Sequence, residues 1–299
     1  MPTLGVMIEA QEGLDWPRWR RIVDDSERLG FGALRCSDHC FSVVGVEGRH
    51  SLQTWVALAL AAEWTERIQL GSMVSPVTFY EPAVLARLAL AVDELSGGRL
   101  ILGIGTGWYQ EEHERFGIAF PGLGERFARL EAAISRIRSV FDGRPLPLLL
   151  GGGGERRTLP LVAREAAEWN LLGADPETYR VKAAGLEERC AAIGRDPGEI
   201  RRSVMAGYLV GRDDGELRER AARLRDMLPR LQQQASAAEV VDALRRQPGR
   251  WFVGTPAELV ESMRPYVAAG VDLFMLQHYL MDDADALELL AAEVLPALA

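Results

Sequence analysis

Residues 68–104 read IQLGSMVSPVTFYEPAVLARLALAVDELSGGRLILGI, and this stretch decides the fold. Ile68 to Val74 is a short apolar run of the kind a strand buried on both faces requires. Pro82 to Leu95 reads as an amphipathic helix with proline at its start, and Leu100 to Ile104 is a second apolar strand. Strand, helix and strand in that order imply parallel pairing through a right-handed crossover.

The same alternation extends both ways. Upstream lie strand Leu4 to Ile8, a helix capped by Asp15 and closed at Gly30, strand Ala33 to Ser37, and helix Leu52 to Trp64. Downstream, a long loop through Gly124 leads to helix Arg126 to Phe141, strand Leu148 to Leu150, helix Arg156 to Ala166 and strand Glu168 to Leu172. Helix Glu177 to Ile193 and strand Ser203 to Val210 follow, then helices Asp214 to Met227 and Ala237 to Arg246. Trp251 to Val253 reads as a short extra strand. Helix Pro256 to Ala269, strand Val271 to Leu276 and helix Ala284 to Leu298 complete the chain. Eight principal strands favour a closed (β/α)8 TIM barrel over an open doubly wound sheet, with extra helices before the last barrel unit. No Pro/Ser/Gly-rich linker interrupts the chain, so residues 1–299 are predicted as a single domain.

Hydrophobic residues make up 48% of the chain and charged residues 26%, a composition of ordinary globular proteins. The formal charge of −9 argues against nucleic acid and anionic membrane as partners. The three cysteines, Cys36, Cys40 and Cys190, form no disulfide framework. With no basic and apolar leader and no bilayer-length apolar run, a cytoplasmic location is expected.

In a parallel barrel, chemistry collects where strands end. The second strand ends Ser37-Asp38-His39, which either holds a polar ligand and relays a proton or merely caps and packs. Cys36, His39 and Cys40 lack the further ligands of a zinc site, so no metal is expected. The third strand ends Gly71-Ser72-Met73-Val74, with room for a flat ligand. After the fourth come Gly103-Ile104-Gly105-Thr106-Gly107-Trp108-Tyr109, where alternate glycines permit close approach and the aromatics offer stacking. In the acidic run Glu111, Glu112, His113, Glu114, one carboxylate at most faces inward. The fifth strand ends Gly151-Gly152-Gly153-Gly154, followed by Glu155-Arg156-Arg157-Thr158 at a helix start. Converging amides, a helix dipole and arginines make this an anion cradle. His278, after the last strand, receives no role.

These segments, with Arg67 to Val74, Asp93 to Leu100, Glu125-Arg126-Phe127, Gly254 to Glu258 and Ala269 to Asp272, resemble the bacterial luciferase-like superfamily. Within it they are similar to the deazaflavin oxidoreductases that use coenzyme F420. The resemblance implies hydride transfer between F420 and a small organic substrate, with FMN as the alternative cofactor. It implies a tricyclic ring against Ser37, Asp38, His39, Ser72, Met73, Val74, Gly107 and Trp108, and a phosphate on Gly151 to Gly154, Glu155 and Arg156. It also implies a non-proline cis peptide at Met73–Val74 and a homodimer packed through helices near the second and third strands. His39 and Glu111 are the catalytic candidates. Two departures stand out: Trp108 occupies the position of a Glu that some sugar-phosphate-oxidising relatives carry, and Asp142 to Pro145 replaces a longer insertion, which leaves the site more open or dependent on a partner subunit. The alternative functions are a reduced-FMN monooxygenase fed by a flavin reductase, and a non-catalytic flavin-binding barrel.

Overall fold

The computed structural model describes residues 1–140 and 146–298. Its strands are β1 (Thr3–Ile8), β2 (Ala33–Cys36), β3 (Gln69–Ser72), β4 (Ser75–Pro76), β5 (Leu100–Gly105), β6 (Leu148–Gly151), β7 (Glu168–Leu172), β8 (Arg201–Val210), β9 (Trp251–Gly254) and β10 (Leu273–Gln277). All pair in parallel, in the order β10-β1-β2-β3-β5-β6-β7-β8, and β10 also pairs with β8. That last pairing closes the expected eight-strand barrel. β10 engages β8 over Ser203–Gly207, and beyond Gly207 the edge of β8 is taken by β9. The extra strand read at Trp251 is therefore a splint on the rim, outside the ring of eight.

Helices α1 (Trp16–Arg28), α2 (Thr54–Trp64) and α3 (Pro82–Leu95) cover the first strands. Asp15 accepts from the Arg18 amide to start α1, and Gly30, at φ 80°, lets the chain turn back into the barrel. α4 (Gln110–Arg115) and α5 (Leu123–Val140) follow β5. Then come α6 (Thr158–Glu165), α7 (Pro176–Ala192), the inserted pair α8 (Asp214–Met227) and α9 (Ala237–Arg245), α10 (Pro256–Ala268) and α11 (Ala284–Leu289). The last helix runs through a π turn at Leu290–Val294 into α12 (Leu295–Leu298).

Several elements differ from the sequence expectation for local reasons. The strand expected over Ile68 to Val74 is shorter, β3 ending at Ser72; Met73–Val74 is a cis peptide, the position the resemblance implied, and β4 follows at Ser75. α4 lies inside the segment read as loop, because six polar residues carry no apolar periodicity. α6 opens at Thr158, two residues later than Arg156, since the polyglycine bend continues as a turn. The expected end at Phe141, and the short segment Asp142 to Pro145, lie outside the described residues.

Strand side chains divide into two layers. Those pointing inward, including Met7, Ala33, Ile101, Leu149 and Met275, fill the barrel axis, and those pointing outward join the helices. α8 and α9 carry a separate apolar cluster that includes Leu224, Leu228, Val240 and Trp251. The amino-terminal floor of the barrel is polar. Arg35 and Glu168 are 0% and 1% exposed and meet at 3.2 Å. Gln69 Oε1 accepts from Arg35 at 2.6 Å and from Arg201 at 3.1 Å, while Ser203 donates to Glu168 at 2.8 Å. Burial depresses the Arg35 pKa despite the pull of Glu168. Removing one member of such a pair strands the other charge. Glu168→Gln is expected to cost about 3–5 kcal/mol of unfolding free energy in urea; a loss below about 1 kcal/mol would show that Gln69 alone satisfies the guanidinium.

Candidate active site

The carboxyl ends of the strands enclose a cavity of about 650 Å³. His39, from the loop after β2, and the bend Gly151–Gly153, after β6, line the same cavity, together with Ser37, Met73, Val74, Gly107 and Trp108. Asp38 and Ser72 lie behind this wall. Asp38 accepts hydrogen bonds from Ser75 and from Tyr80, the latter at 2.9 Å, and burial raises its pKa against the pull of both hydroxyls. Ser72 donates to the Gly103 carbonyl at 2.9 Å. Both residues fix the wall from outside the cavity.

Glu111 stands elsewhere. Its carboxylate accepts from Tyr109 at 2.9 Å and pairs with Arg115 at 2.7 Å on the outer face of α4. One residue further round the helix, Glu112 is 1% exposed and turns inward. It accepts from His39 Nδ1 at 2.8 Å and from the Cys40 amide. The inward carboxylate is thus Glu112, and the expectation for Glu111 is corrected: adjacent helical residues point about 100° apart, so only one of them reaches the barrel axis.

Burial alone would lower the His39 pKa, but the hydrogen bond and charge of Glu112, with weaker help from Glu9 and Asp38, raise it above the ordinary value. A carboxylate fixed on Nδ1 also sets the tautomer and leaves Nε2 free of protein partners among the described residues. The rings of Trp108 and Tyr109 stand edge-on to His39, at centroid distances of 5.6 and 6.3 Å. His113 serves the frame instead: its Nδ1 donates to the Tyr109 carbonyl at 2.8 Å and its Nε2 accepts from Thr78 at 2.7 Å, which ties α4 to the loop after β4.

The glycine bend has the character of an anion cradle. Gly152 has φ 106°, a conformation that favours glycine, and its amide donates to Asn170. The amides of Gly153 and Gly154 meet no acceptor among the described residues. A Cβ on Gly154 would lie 2.8 Å from the Thr158 hydroxyl, so any larger residue closes the notch before α6. Gly154, Glu155 and Arg156 lie beside the cavity wall rather than in it. Glu155 pairs with Lys182 of α7 at 2.6 Å.

Sequence reasoning missed three residues here. Lys182 is the chain's one lysine, a compositional signal that was available, and its stem packs near Gly153. Glu9, at the end of β1, lines the cavity and accepts from Gln277 at 2.6 Å and Gln11 at 3.0 Å. Glu12 is buried and holds Arg49, Ser42 and the Val43 amide, which fixes the loop carrying His39. Among the described residues no group of His, Cys, Asp and Glu is placed to hold a metal ion. No helix there is long and apolar enough to cross a membrane.

A closed parallel barrel with a polar, glycine-edged cavity at its carboxyl mouth defines the class of (β/α)8 barrel enzymes. Within that class the chain belongs to the luciferase-like monooxygenase family, whose profile matches residues 2–273. An F420-dependent glucose-6-phosphate dehydrogenase of Intrasporangium calvum is 29% identical, with 93% of this chain and 95% of that protein covered. An F420-dependent hydroxymycolic acid dehydrogenase of Mycobacterium tuberculosis is 27% identical over 91% of this chain and 82% of its own length. The structure of an F420-dependent secondary alcohol dehydrogenase in complex with an F420-acetone adduct superposes over all of both chains, with a TM-score of 0.80 and 18% identity. The long-chain alkane monooxygenase LadA gives 0.80 at 16% identity, covering 100% of this chain and 91% of its own. At these identities the two structures show a shared fold. Family and relatives together make the chain a luciferase-like oxidoreductase.

The link between His39 and Glu112 is open to direct measurement. In Glu112→Gln the amide keeps an acceptor near Nδ1 but loses the charge, so burial is opposed only by the weaker pull of Glu9 and Asp38. The His39 titration midpoint, read by NMR of labelled imidazole, is expected above 6.5 in the wild type and lower in the variant. Equal midpoints would assign the shift to Glu9 and Asp38 instead.

Proposed function

We propose that the protein transfers a hydride between coenzyme F420 and a small organic substrate, an alcohol in the oxidising direction. The observation that carries this reading is that His39, backed by buried Glu112, and the glycine bend face one cavity. The similarity to relatives named as F420-dependent dehydrogenases supports the choice of cofactor. When bound, the deazaflavin supplies the hydride-accepting or hydride-donating carbon.

Met73, Val74, Gly107 and Trp108 line the part of the wall that would hold a tricyclic ring. The free amides of Gly153 and Gly154, the start of α6 and the ammonium of Lys182 suit a phosphate. His39 Nε2 takes the hydroxyl proton when substrate is oxidised and returns it when substrate is reduced. Glu112 holds the opposite nitrogen and stabilises the charge that forms. Exposed Val56 on α2, with Val84, Leu88 and Leu95 on α3, supports a homodimer through these helices, which sedimentation would register as twice the chain mass.

Side-by-side titration with F420 and FMN tests the cofactor. F420 is expected to bind the tighter, and Lys182→Met to weaken F420 while sparing the deazaflavin without its phosphate. His39→Ala is expected to lower kcat by about 100-fold or more while F420 affinity stays within about twofold. Tighter binding of FMN, with oxygen uptake by the reduced flavin, would reverse the assignment in favour of a monooxygenase. Tight F420 binding with no redox exchange across a panel of alcohols would leave a non-catalytic barrel.

A further inference from the structure

The cavity wall between β7 and β1 lies opposite the ends of β2 to β6 and carries two arginines. Arg230 follows α8 and Arg250 immediately precedes β9, and both side chains line the cavity. The Arg230 guanidinium lies 5.8 Å from the Trp251 ring centroid. Trp251 in turn stacks on Tyr279 at 5.8 Å with 25° between the planes. Gly207 makes this possible, since a Cβ there would lie 2.6 Å from the Trp251 ring. The Arg250 stem packs over Gly173, just past β7.

Neither guanidinium meets a carboxylate among the described residues, whereas Arg49 near by is held by Glu12. Formal charges along this wall then leave an imbalance. Arg49 cancels Glu12, and Glu112 is engaged by His39 away from this wall, so on the wall itself the carboxylate of Glu9 faces two arginines. The surplus is one positive charge. A carboxylate matches it, while a phosphate monoester, at about −1.5 to −2 near neutrality, overshoots it. A guanidinium fork also matches a planar carboxylate in a bidentate geometry.

We propose that Arg230, Arg250 and the stacked Trp251–Tyr279 pair form a substrate subsite for a ring compound bearing one carboxylate. The ring lies against the aromatic pair and the carboxylate on the guanidinium groups. This rests on the reading above, in which the cofactor occupies the wall from β2 to β6.

The test uses the whole chain, with and without F420, and three probes followed by calorimetry: 4-(hydroxymethyl)benzoate, benzyl alcohol and phenyl phosphate. The benzoate is expected to bind at least about tenfold more tightly than benzyl alcohol. Arg230→Met and Arg250→Met should each weaken the benzoate by about tenfold, with benzyl alcohol and F420 affinities held within about twofold. Arg230→Lys, which keeps the charge, should lose less than Arg230→Met. The subsite is overturned by no benzoate binding to the wild type, by equal binding to the variants, or by phenyl phosphate binding about tenfold the tighter. Loss of F420 affinity in the arginine variants also overturns it, by giving the arginines to the cofactor. Benzoate binding that depends on the arginines, in a protein that does not take up F420, supports the anion subsite and removes the cofactor reading alone.

Discussion

Closure of the barrel by β10 between β1 and β8 is the constraint on which every other feature depends. An open parallel sheet would leave two rows of unpaired backbone groups and spread its strand ends along a line. Closing it gathers residues from the whole length of the chain around one mouth, so that Gln277 reaches Glu9 across 268 positions of sequence. The closure is uneven in a useful way. β8 is ten residues long and outruns β10, and its surplus edge is paired by β9. That splint raises Trp251 and Arg250 onto the rim opposite His39, and α8 and α9 exist as a pair with their own apolar cluster behind it.

Polar groups hold the two ends of this frame in different ways. At the floor, Arg35 and Glu168 are sealed from water and satisfied by Gln69 and Ser203, an arrangement that tolerates no single deletion. At the mouth, buried carboxylates work from behind the wall. Asp38 is gripped by Ser75 and Tyr80, Glu12 gathers the loop after β2, and Glu112 locks that loop to α4. These three acids position the cavity surface before any ligand arrives, which is the condition for precise chemistry on loops.

The alternation of strands and helices made the barrel legible, because buried parallel strands and amphipathic helices differ in both length and period. The bend at Gly151–Gly154 was legible as well: four consecutive glycines are entropically costly and need a reason. The orientation of the acidic run was not. Glu111 and Glu112 are chemically alike, and only the phase of α4, a helix too short and polar to show a period, decides which one meets His39. Glu9 and Glu12 were hidden for a related reason, since a carboxylate after a strand resembles any solvated loop residue until its partners Gln277 and Arg49 are brought to it by closure. Lys182 was the readable exception, a lone lysine among many arginines, beside the bend it serves.

Trp108, beside His39 on the cavity wall, bears on what the cavity can accept. A carboxylate at that point would face the ligand directly and repel an anion. Here the acid comes four residues later, one helical turn on, and acts through the far nitrogen of His39. The imidazole keeps a raised proton affinity, while the surface beside it is aromatic and uncharged. With Glu112 held behind His39, the wall between β7 and β1 carries Glu9 and the guanidinium groups of Arg230 and Arg250, which meet no carboxylate among the described residues. Placing the carboxylate behind the base therefore keeps proton transfer available without spending the positive charge on the opposite wall, and the two ends of the pocket can be tuned independently.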